Sequence, residues 1–544
     1  MWPFSSPYPT VKPSDIGVEL GDVSRTSAPT FNYIIVGGGI AGCCLASRLS
    51  EDPDVTVLLI ERGIPLISSN IFKKDSLARP LNSLPQVHAD HRVIPLMRGQ
   101  ALGGTSRVNG MFYTRGVPAD FNRWRDMGHP DWSYEKMLPF FVKSENTLSH
   151  PESTFRGKNG PWENQTFSHT TWPIIPHVKA TAEFMRVPFY PDCNDPSLPS
   201  ISCVPVDIAI DRNMRRCSTY SAFLPPSIAR SRQDRLKICP DTIAERVAFN
   251  SRADGPPRAI GVEFGHRDGT GATYFAKASR EVVVCGAIES PQLLLLSGIG
   301  PSNHLKQHGI GVIVDNPGVR SNLKDHVDVP MMWNIPLKDS LHPFAPLVIF
   351  LPSQSLNENT EIVAPDPADL DSTLPHNGPD LEIKPIPLYG LDPPPNATTV
   401  HVKEGVMNFI ASCDLRMLSD PEDLAVLAKG VQLSIKLAEQ VRAQGYPIKT
   451  YHRPISDSGE DIEVYIRSYA RSGYHYTSTR RMAPFGGMHL GVVDDELRVH
   501  GVDGLRVCDA SVFPDIMAAH TMAPVVVVAE KRADMRRRLR YSSK

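Results

Sequence analysis

Residues 31–49 read FNYIIVGGGIAGCCLASRL, an apolar run, a glycine turn and then a segment of small residues. The apolar run predicts a strand, and the segment after the glycines predicts a helix able to press against a sheet. Gly37, Gly39 and Gly42 make the spacing GxGxxG, and a second apolar run, VTVLLIE, ends in Glu61, nineteen residues beyond Gly42. Each part has a mechanical reason. Gly37 permits the tight turn, Gly39 lets backbone N–H groups approach a pyrophosphate at the helix N-terminus, Gly42 closes the helix onto the strand, and Glu61 can accept from ribose hydroxyls. A lone glycine triplet says little; with a strand before it, a helix after it and an acid closing the next strand, it predicts dinucleotide binding.

No second fingerprint of this kind follows, so a single tightly held dinucleotide is the simpler inference, which favours a flavin. The next glycine cluster, GQALGGTSRVNGMFYTRG at 99–116, is too long for a hairpin and too rich in small residues for a core helix. It predicts backbone wrapped around a ligand. Runs at 236–264 and at 281–300 (EVVVCGAIESPQLLLLSGIG) add strands and a helix, with Gly286 and Ser290 flanking the turn between them. In an open α/β sheet, ligands collect at the carboxyl ends of strands, where this turn falls. Residues 496–535 predict a strand, a loop and a long helix, with Pro524 in the first turn, where its missing N–H does no harm.

The whole chain has 544 residues, 41% of them apolar and 21% charged, an ordinary soluble composition with enough length for at least two domains. Residues 1–29, rich in Pro, Ser and Thr, read as an extended arm, and prolines dense in 330–400 mark a lobe that covers substrate. A formal charge of −2 gives no electrostatic reason to expect nucleic acid or an anionic membrane as partner. The basic tail KRADMRRRLR, 531–540, reads as a solvated helix end, where cations complement the dipole. No run approaches the roughly 18–20 apolar residues that span a bilayer. No secretory signal is readable in MWPFSSPYPTVKPSD, so a cytoplasmic location is expected. Nine cysteines at irregular spacings agree with reduced thiols, and no CxxC or Cys/His set points to metal.

Two histidines stand out. GYHYTSTRRM, 473–482, sets His475 among polar neighbours, and forty-five residues later AAHTMAP carries His520 just before the last helix. Neutral imidazole, with an ordinary pKa near 6.5, can accept a hydroxyl proton at physiological pH.

Taken together, these motifs resemble the glucose-methanol-choline (GMC) oxidoreductases. GQALGGTSRVNGMFYTRGVPADF is similar to the family's first signature and GAIESPQLLLLSGIG to its second, while RRCSTYSAFLPP, PGVRSNLKDH (317–326) and LRVHGVDGLRVCDASVFP match further stretches. The resemblance implies an α/β fold. Its Rossmann-like FAD-binding domain is discontinuous, over 30–115, 203–330 and 466–544, and its α+β substrate-binding domain is built from 116–202 and 331–465. It implies FAD contacts at Gly37, Gly39, Gly42, Glu61, Gly103, Gly104, Thr105, Asn109, Asp509, Ala510, Thr521 and Met522, and a catalytic pair at His475 and His520. The implied chemistry is oxidation of an alcohol to a carbonyl. His475 takes the hydroxyl proton, hydride passes to flavin N5, His520 orients the oxygen, and O2 or another acceptor reoxidises the cofactor. A small secondary-metabolite alcohol is the expected substrate, and a homodimer is allowed. A redox-neutral lyase or cyclase using the same histidines is the alternative, and a non-catalytic flavoprotein scaffold a weaker one.

The chain also departs from the family pattern. Gln100 stands where a basic residue is usual, and 99–116 holds no histidine, so FAD is expected to be non-covalent. In GYHYTSTRRM, Ser478 replaces a glycine and Arg480 a cysteine. Arg480 is expected to face an acid elsewhere; alternatively, its charge disfavours protonation of His475. Segment 407–430 is expected to run from a strand almost directly into a helix, shortening the substrate lobe.

Overall fold

The computed structural model describes residues 8–21, 25–64, 78–166, 173–336, 347–363, 371–374, 377–385, 415–483 and 491–542. Its centre is a twisted mixed sheet. In chain order the elements are β1 (Thr30–Val36), α1 (Ile40–Leu49), β2 (Val57–Ile60), β3 (Leu236–Cys239), β4 (Thr242–Asn250), β5 (Arg258–His266), β6 (Tyr274–Val284), α2 (Ser290–Leu296), β7 (Leu505–Val507) and α3 (Met522–Ser542). The strands lie in the order β3-β2-β1-β6-β5-β4, with β7 also paired to β6. The four pairings among β3, β2, β1, β6 and β7 are parallel, while β4, β5 and the start of β6 form an antiparallel meander.

Register brings the strand ends to one level. Val36 pairs with both Ile60 and Val284, Ile60 with Cys239, and Val284 with Val507. Their carboxyl ends therefore share one edge, where the glycine turn after β1, Glu61 after β2, Gly286 after β6 and Asp509 after β7 all emerge. This is the edge at which open α/β sheets collect ligands.

The flanking helices explain their composition. In α1, Ala41–Ser47 and Leu49 are all buried, since this helix touches both the sheet and α3. Small side chains suit that double contact. The run Val525–Val528 in α3 is likewise buried on all sides. Arg48 of α1 donates to the fully buried Glu530 of α3 at 2.6 Å, locking the two helices. The tail departs from its expected solvated face at its first two residues. Lys531 is buried with its ammonium 4.9 Å from the Trp132 ring, and buried Arg532 pairs with Glu281. The arm is likewise more than an extended lead-in: Val18–Glu19 adds to β6 as an antiparallel strand, and the Tyr8 ring packs 5.3 Å from that of Tyr220.

A second body covers the ligand edge. Strands Ser202–Pro205, Leu347–Leu351 and Leu381–Ile383 form an antiparallel sheet, so residues 203–205, expected with the nucleotide domain, pair with the lobe instead. Helix Pro421–Ala443 starts at Asp420, whose side chain accepts from Glu422 N, and buries Leu433, Leu437 and Val441 in a core shared with Leu347 and Ile349. The expected strand from 407 falls mostly outside the described residues; the helix begins at Pro421. Among the described residues, no helix is long and apolar enough to cross a membrane.

Candidate active site

The two glycine loops meet backbone to backbone. Gly103 N donates to Gly38 O at 2.7 Å, and a Cβ on Gly104 would lie 2.8 Å from Gly39 Cα. Gly37 holds a φ of +103°, and a Cβ on Gly42 would sit 1.9 Å from Gly37 O. A Cβ on Gly39, in contrast, would meet nothing closer than Cys285 O at 3.9 Å, so the turn is open on that side. Backbone packed this closely, with free space before a helix N-terminus, fits a pyrophosphate.

Around this cradle the expected contacts are ordered by protein bonds. Glu61 accepts from Gly38 N and Gly63 N, each at 2.6 Å, and burial pushes its carboxyl up to about 7 despite those bonds. Thr105 accepts from Gly99 N at 3.2 Å. Asn109 accepts from Arg216 at 2.9 Å and donates to Met522 Sδ at 3.1 Å. Asp509 braces the opposite side. Its Oδ2 accepts from Ala287 N at 2.8 Å and Ser290 Oγ at 3.2 Å, while Oδ1 accepts from Ser511 N at 2.9 Å and Arg480 at 3.2 Å. Ala510 opens the short helical turn Ala510–Val512 that follows.

Arg480 thus faces an acid, Asp509, in the first of the two ways the sequence allows. It also donates to Ser511 Oγ at 2.7 Å and Ala287 O at 2.6 Å, and burial draws its guanidinium down to about 10 despite Asp509. Ser478, expected from the resemblance to replace a glycine, holds a left-handed backbone with φ +68°.

His475 and His520 come together, with ring centroids 4.8 Å apart and planes at 84°. A third imidazole joins them. His326 Nδ1 lies 2.8 Å from His475 Nδ1. The reason is local pairing: Val327 pairs with Ser472, Gly473 N donates to His326 O at 2.7 Å, and Thr477 N donates to Lys324 O at 2.9 Å. Segments 324–328 and 471–477 therefore run antiparallel and set the two rings face to edge. Asp325 anchors the crossing, accepting from His475 N at 2.7 Å and from the Ser472 hydroxyl, and burial pushes it up to about 7.

His520 is fixed from three sides. Its backbone N donates to Thr114 Oγ1 at 2.9 Å, the Phe112 ring stacks on it at 4.4 Å, and its Nε2 lies 3.0 Å from Glu382 of the lobe. Burial alone would raise Glu382, but Lys384 and His520 hold it down at about 2; Lys384 in turn pairs with Asp328 at 3.2 Å. Burial and the neighbouring His520 lower His326 to about 4, and the same causes hold His475 well below the ordinary imidazole value. Both rings are therefore neutral bases near pH 7.

The sequence reading missed His326, Asp325, Glu382 and Lys384. His326 closes PGVRSNLKDH, a loop matched to the family without a role. Glu382 and Lys384 alternate on one face of a short strand in LEIKP, which is the one signal they gave.

A cavity of about 1,420 Å³ lies beside the cradle, lined by Ile40, Thr105, Asn109, Thr521 and Met522 as well as by His326, Glu382, His475 and His520. Sites for one drug-sized ligand run to roughly 300–1,000 Å³, so there is room for a cofactor and a substrate together. A dinucleotide cradle beside a chamber of three imidazoles, on an α/β sheet, is the arrangement of a flavin-type oxidoreductase. More narrowly, the chain belongs to the GMC oxidoreductases, whose N-terminal region matches over residues 31–328 and whose C-terminal region matches over 396–529. It is 31% identical to the oxygen-dependent choline dehydrogenase of Burkholderia mallei (strain ATCC 23344), covering 93% of each chain, and 30% identical to dehydrogenase eriK of Hericium erinaceus, covering 94% and 95%. Its fold is similar to that of an FAD-dependent oxidoreductase from Chaetomium thermophilum (TM-score 0.78, 25% identity, 94% and 100% covered). It is also similar to that of a fungal aryl-alcohol oxidase (TM-score 0.72, 23% identity, 93% and 98% covered).

Proposed function

We propose that the protein holds FAD non-covalently and oxidises the hydroxyl of a small alcohol to a carbonyl, with His475 as the base. The observation that carries this reading is the triad of His326, His475 and His520 lining a cavity that is also lined by Ile40, Thr105 and Asn109, the residues that adjoin the glycine cradle in sequence. When bound there, FAD supplies the acceptor for the hydride that leaves the carbinol carbon.

The chain's own residues do the rest. His475, kept neutral, accepts the hydroxyl proton through Nε2 when its Nδ1 carries the hydrogen bonded to His326. His520, held by Phe112 and Glu382, orients the hydroxyl oxygen and shares the charge that develops on it. Gly37, Gly39 and Gly42 with Gly103 and Gly104 shape the pyrophosphate cradle, and Glu61, Thr105, Asn109, Asp509, Ala510, Thr521 and Met522 line or brace the cofactor's path. A secondary-metabolite alcohol is the proposed substrate class, a reading to which the likeness to dehydrogenase eriK lends support. The electron acceptor is O2 or another small oxidant.

The test is anaerobic mixing with candidate alcohols. Bleaching of the ~450 nm flavin band marks oxidation of the substrate by the cofactor. The His475→Ala variant is expected to bleach ~10²–10⁴-fold more slowly, the range for loss of a general base. Turnover without bleaching would instead favour a redox-neutral lyase or cyclase, and an unchanged rate in the variant would refute the assignment of the base.

A further inference from the structure

A second charged cluster lies away from the imidazole chamber, behind the strand pair that joins Asp207–Ile208 to Phe112–Tyr113. Arg156 is its hub, donating to Asp192 Oδ1 at 2.6 Å, Asp207 Oδ2 at 2.5 Å and Glu145 Oε1 at 2.6 Å. Arg115 completes Glu145 at 2.5 Å. All five side chains are buried. The second oxygen of each aspartate, Asp192 Oδ2 and Asp207 Oδ1, makes no well-formed hydrogen bond, and neither does His150 Nε2; their nearest polar neighbours are one another. Yet these groups converge: His150 Nε2 lies 3.4 Å from Asp207 Oδ1, His150 Nδ1 lies 3.6 Å from Asp192 Oδ2, and one ligating atom from each residue falls within 4.8 Å of the others.

Three carboxylates, Glu145, Asp192 and Asp207, face the two guanidiniums of Arg115 and Arg156 here, with the His150 ring set against the outer oxygens of the two aspartates. A buried unpaired charge is costly, and a cation placed between the bare atoms removes the cost. We propose that His150, Asp192 and Asp207 form a binding site for one divalent transition-metal ion of the zinc class. Imidazole with two carboxylates is a ligand set that zinc accepts, with a fourth position left for water. Ligands about 2.0–2.1 Å from a tetrahedral ion sit about 3.4 Å apart, close to the His150–Asp207 separation. The outer shell is already built, because Arg156 holds the non-ligating oxygen of both aspartates. His150 is the more exposed member and gives the ion its access, with its side chain 15% exposed.

No spacing motif announced this site, since its members come from three separate segments. Its position gives it a structural role. Asp207 pairs in register with Tyr113, and the adjoining Phe112 stacks on His520, so a bound ion fastens the wall against which the proposed active site is built.

The full-length protein, stripped with a chelator and dialysed, is titrated with zinc chloride at pH 7.5, and retained metal is counted by atomic emission after gel filtration. One equivalent is expected in the wild type, with a rise in thermal midpoint. His150→Gln and Asp192→Asn are expected to bind zinc ~10-fold or more weakly and to lose that rise, as befits loss of a ligand. The double variant His326→Ala/His475→Ala is expected to keep both, which separates the site from the imidazole chamber. Zinc uptake that is equal in the wild type and in His150→Gln, or no uptake at all, would show that a proton on His150 or a bound water meets the charge and would overturn the proposal.

Discussion

His326 Nδ1 and His475 Nδ1 stand 2.8 Å apart although 149 residues separate them in the chain. Two ring nitrogens at that distance share a single proton, so the tautomer of one ring fixes that of the other. In the proposed mechanism the proton sits on His475 Nδ1, which leaves Nε2 as the basic atom and makes His326 its orienting acceptor.

Removing that acceptor has a defined consequence. His326→Ala is expected to lower kcat/KM by roughly 5- to 150-fold, which corresponds to about 1–3 kcal/mol for a buried donor left unsatisfied. Cofactor content, read from the visible spectrum, is expected to stay at the wild-type level. A variant with wild-type kcat/KM would show that His326 does not position the base.

The depressed imidazoles also set a pH dependence. His326 titrates near 6.5 when unfolded and about 4 when folded, so the unfolded chain binds more protons between those values. Its contribution is therefore fully present above about 6.5 and is lost as pH falls toward 4. Chemical denaturation of the wild type and of His326→Gln, compared across that window, is expected to show the gap moving in the variant's favour on acidification. Above pH 7 the gap is expected to be constant. Asp325, pushed up to about 7, has the opposite sign, but it is common to both proteins and cancels in the difference.

The cradle is testable at one atom. Gly42→Ala would place a Cβ 1.9 Å from Gly37 O, a contact with backbone that no rotamer relieves. The variant is expected to purify without the yellow flavin band while keeping its far-ultraviolet dichroism. A variant with full flavin content would show that the helix can shift without disturbing the turn.

Arg480 is expected to matter for stability rather than for proton transfer. Arg480→Ala leaves Asp509 buried without its cation, a loss of about 3–5 kcal/mol for a broken buried pair. Urea denaturation of the folded variant reads this as a lower midpoint. Arg480→Lys is expected to recover only part of it, because an ammonium cannot reach Asp509, Ser511 and Ala287 with the geometry of a planar fork.

The glycine loops were legible because their constraint is local. Gly37, Gly39 and Gly42 are demanded by a turn and a helix start that adjoin them in sequence, and Glu61 closes the next strand, so spacing alone carried the dinucleotide fold. His475 and His520 were legible as a pair only through the family resemblance, since nothing local ties residue 475 to residue 520. The tail misled for a related reason. Charge pattern says nothing about what packs opposite, and Trp132 and Glu281 turn Lys531 and Arg532 inward.

By itself, then, the sequence determined the nucleotide-binding half of this protein and the two histidines at its later edge, because helix starts, turns and strand ends are written in neighbouring residues. Only the tertiary structure decided what those histidines face. An antiparallel crossing of 324–328 over 471–477 brought His326 to His475, and a lobe strand brought Glu382 to His520. Such contacts depend on register between distant segments, which no single stretch of chain specifies.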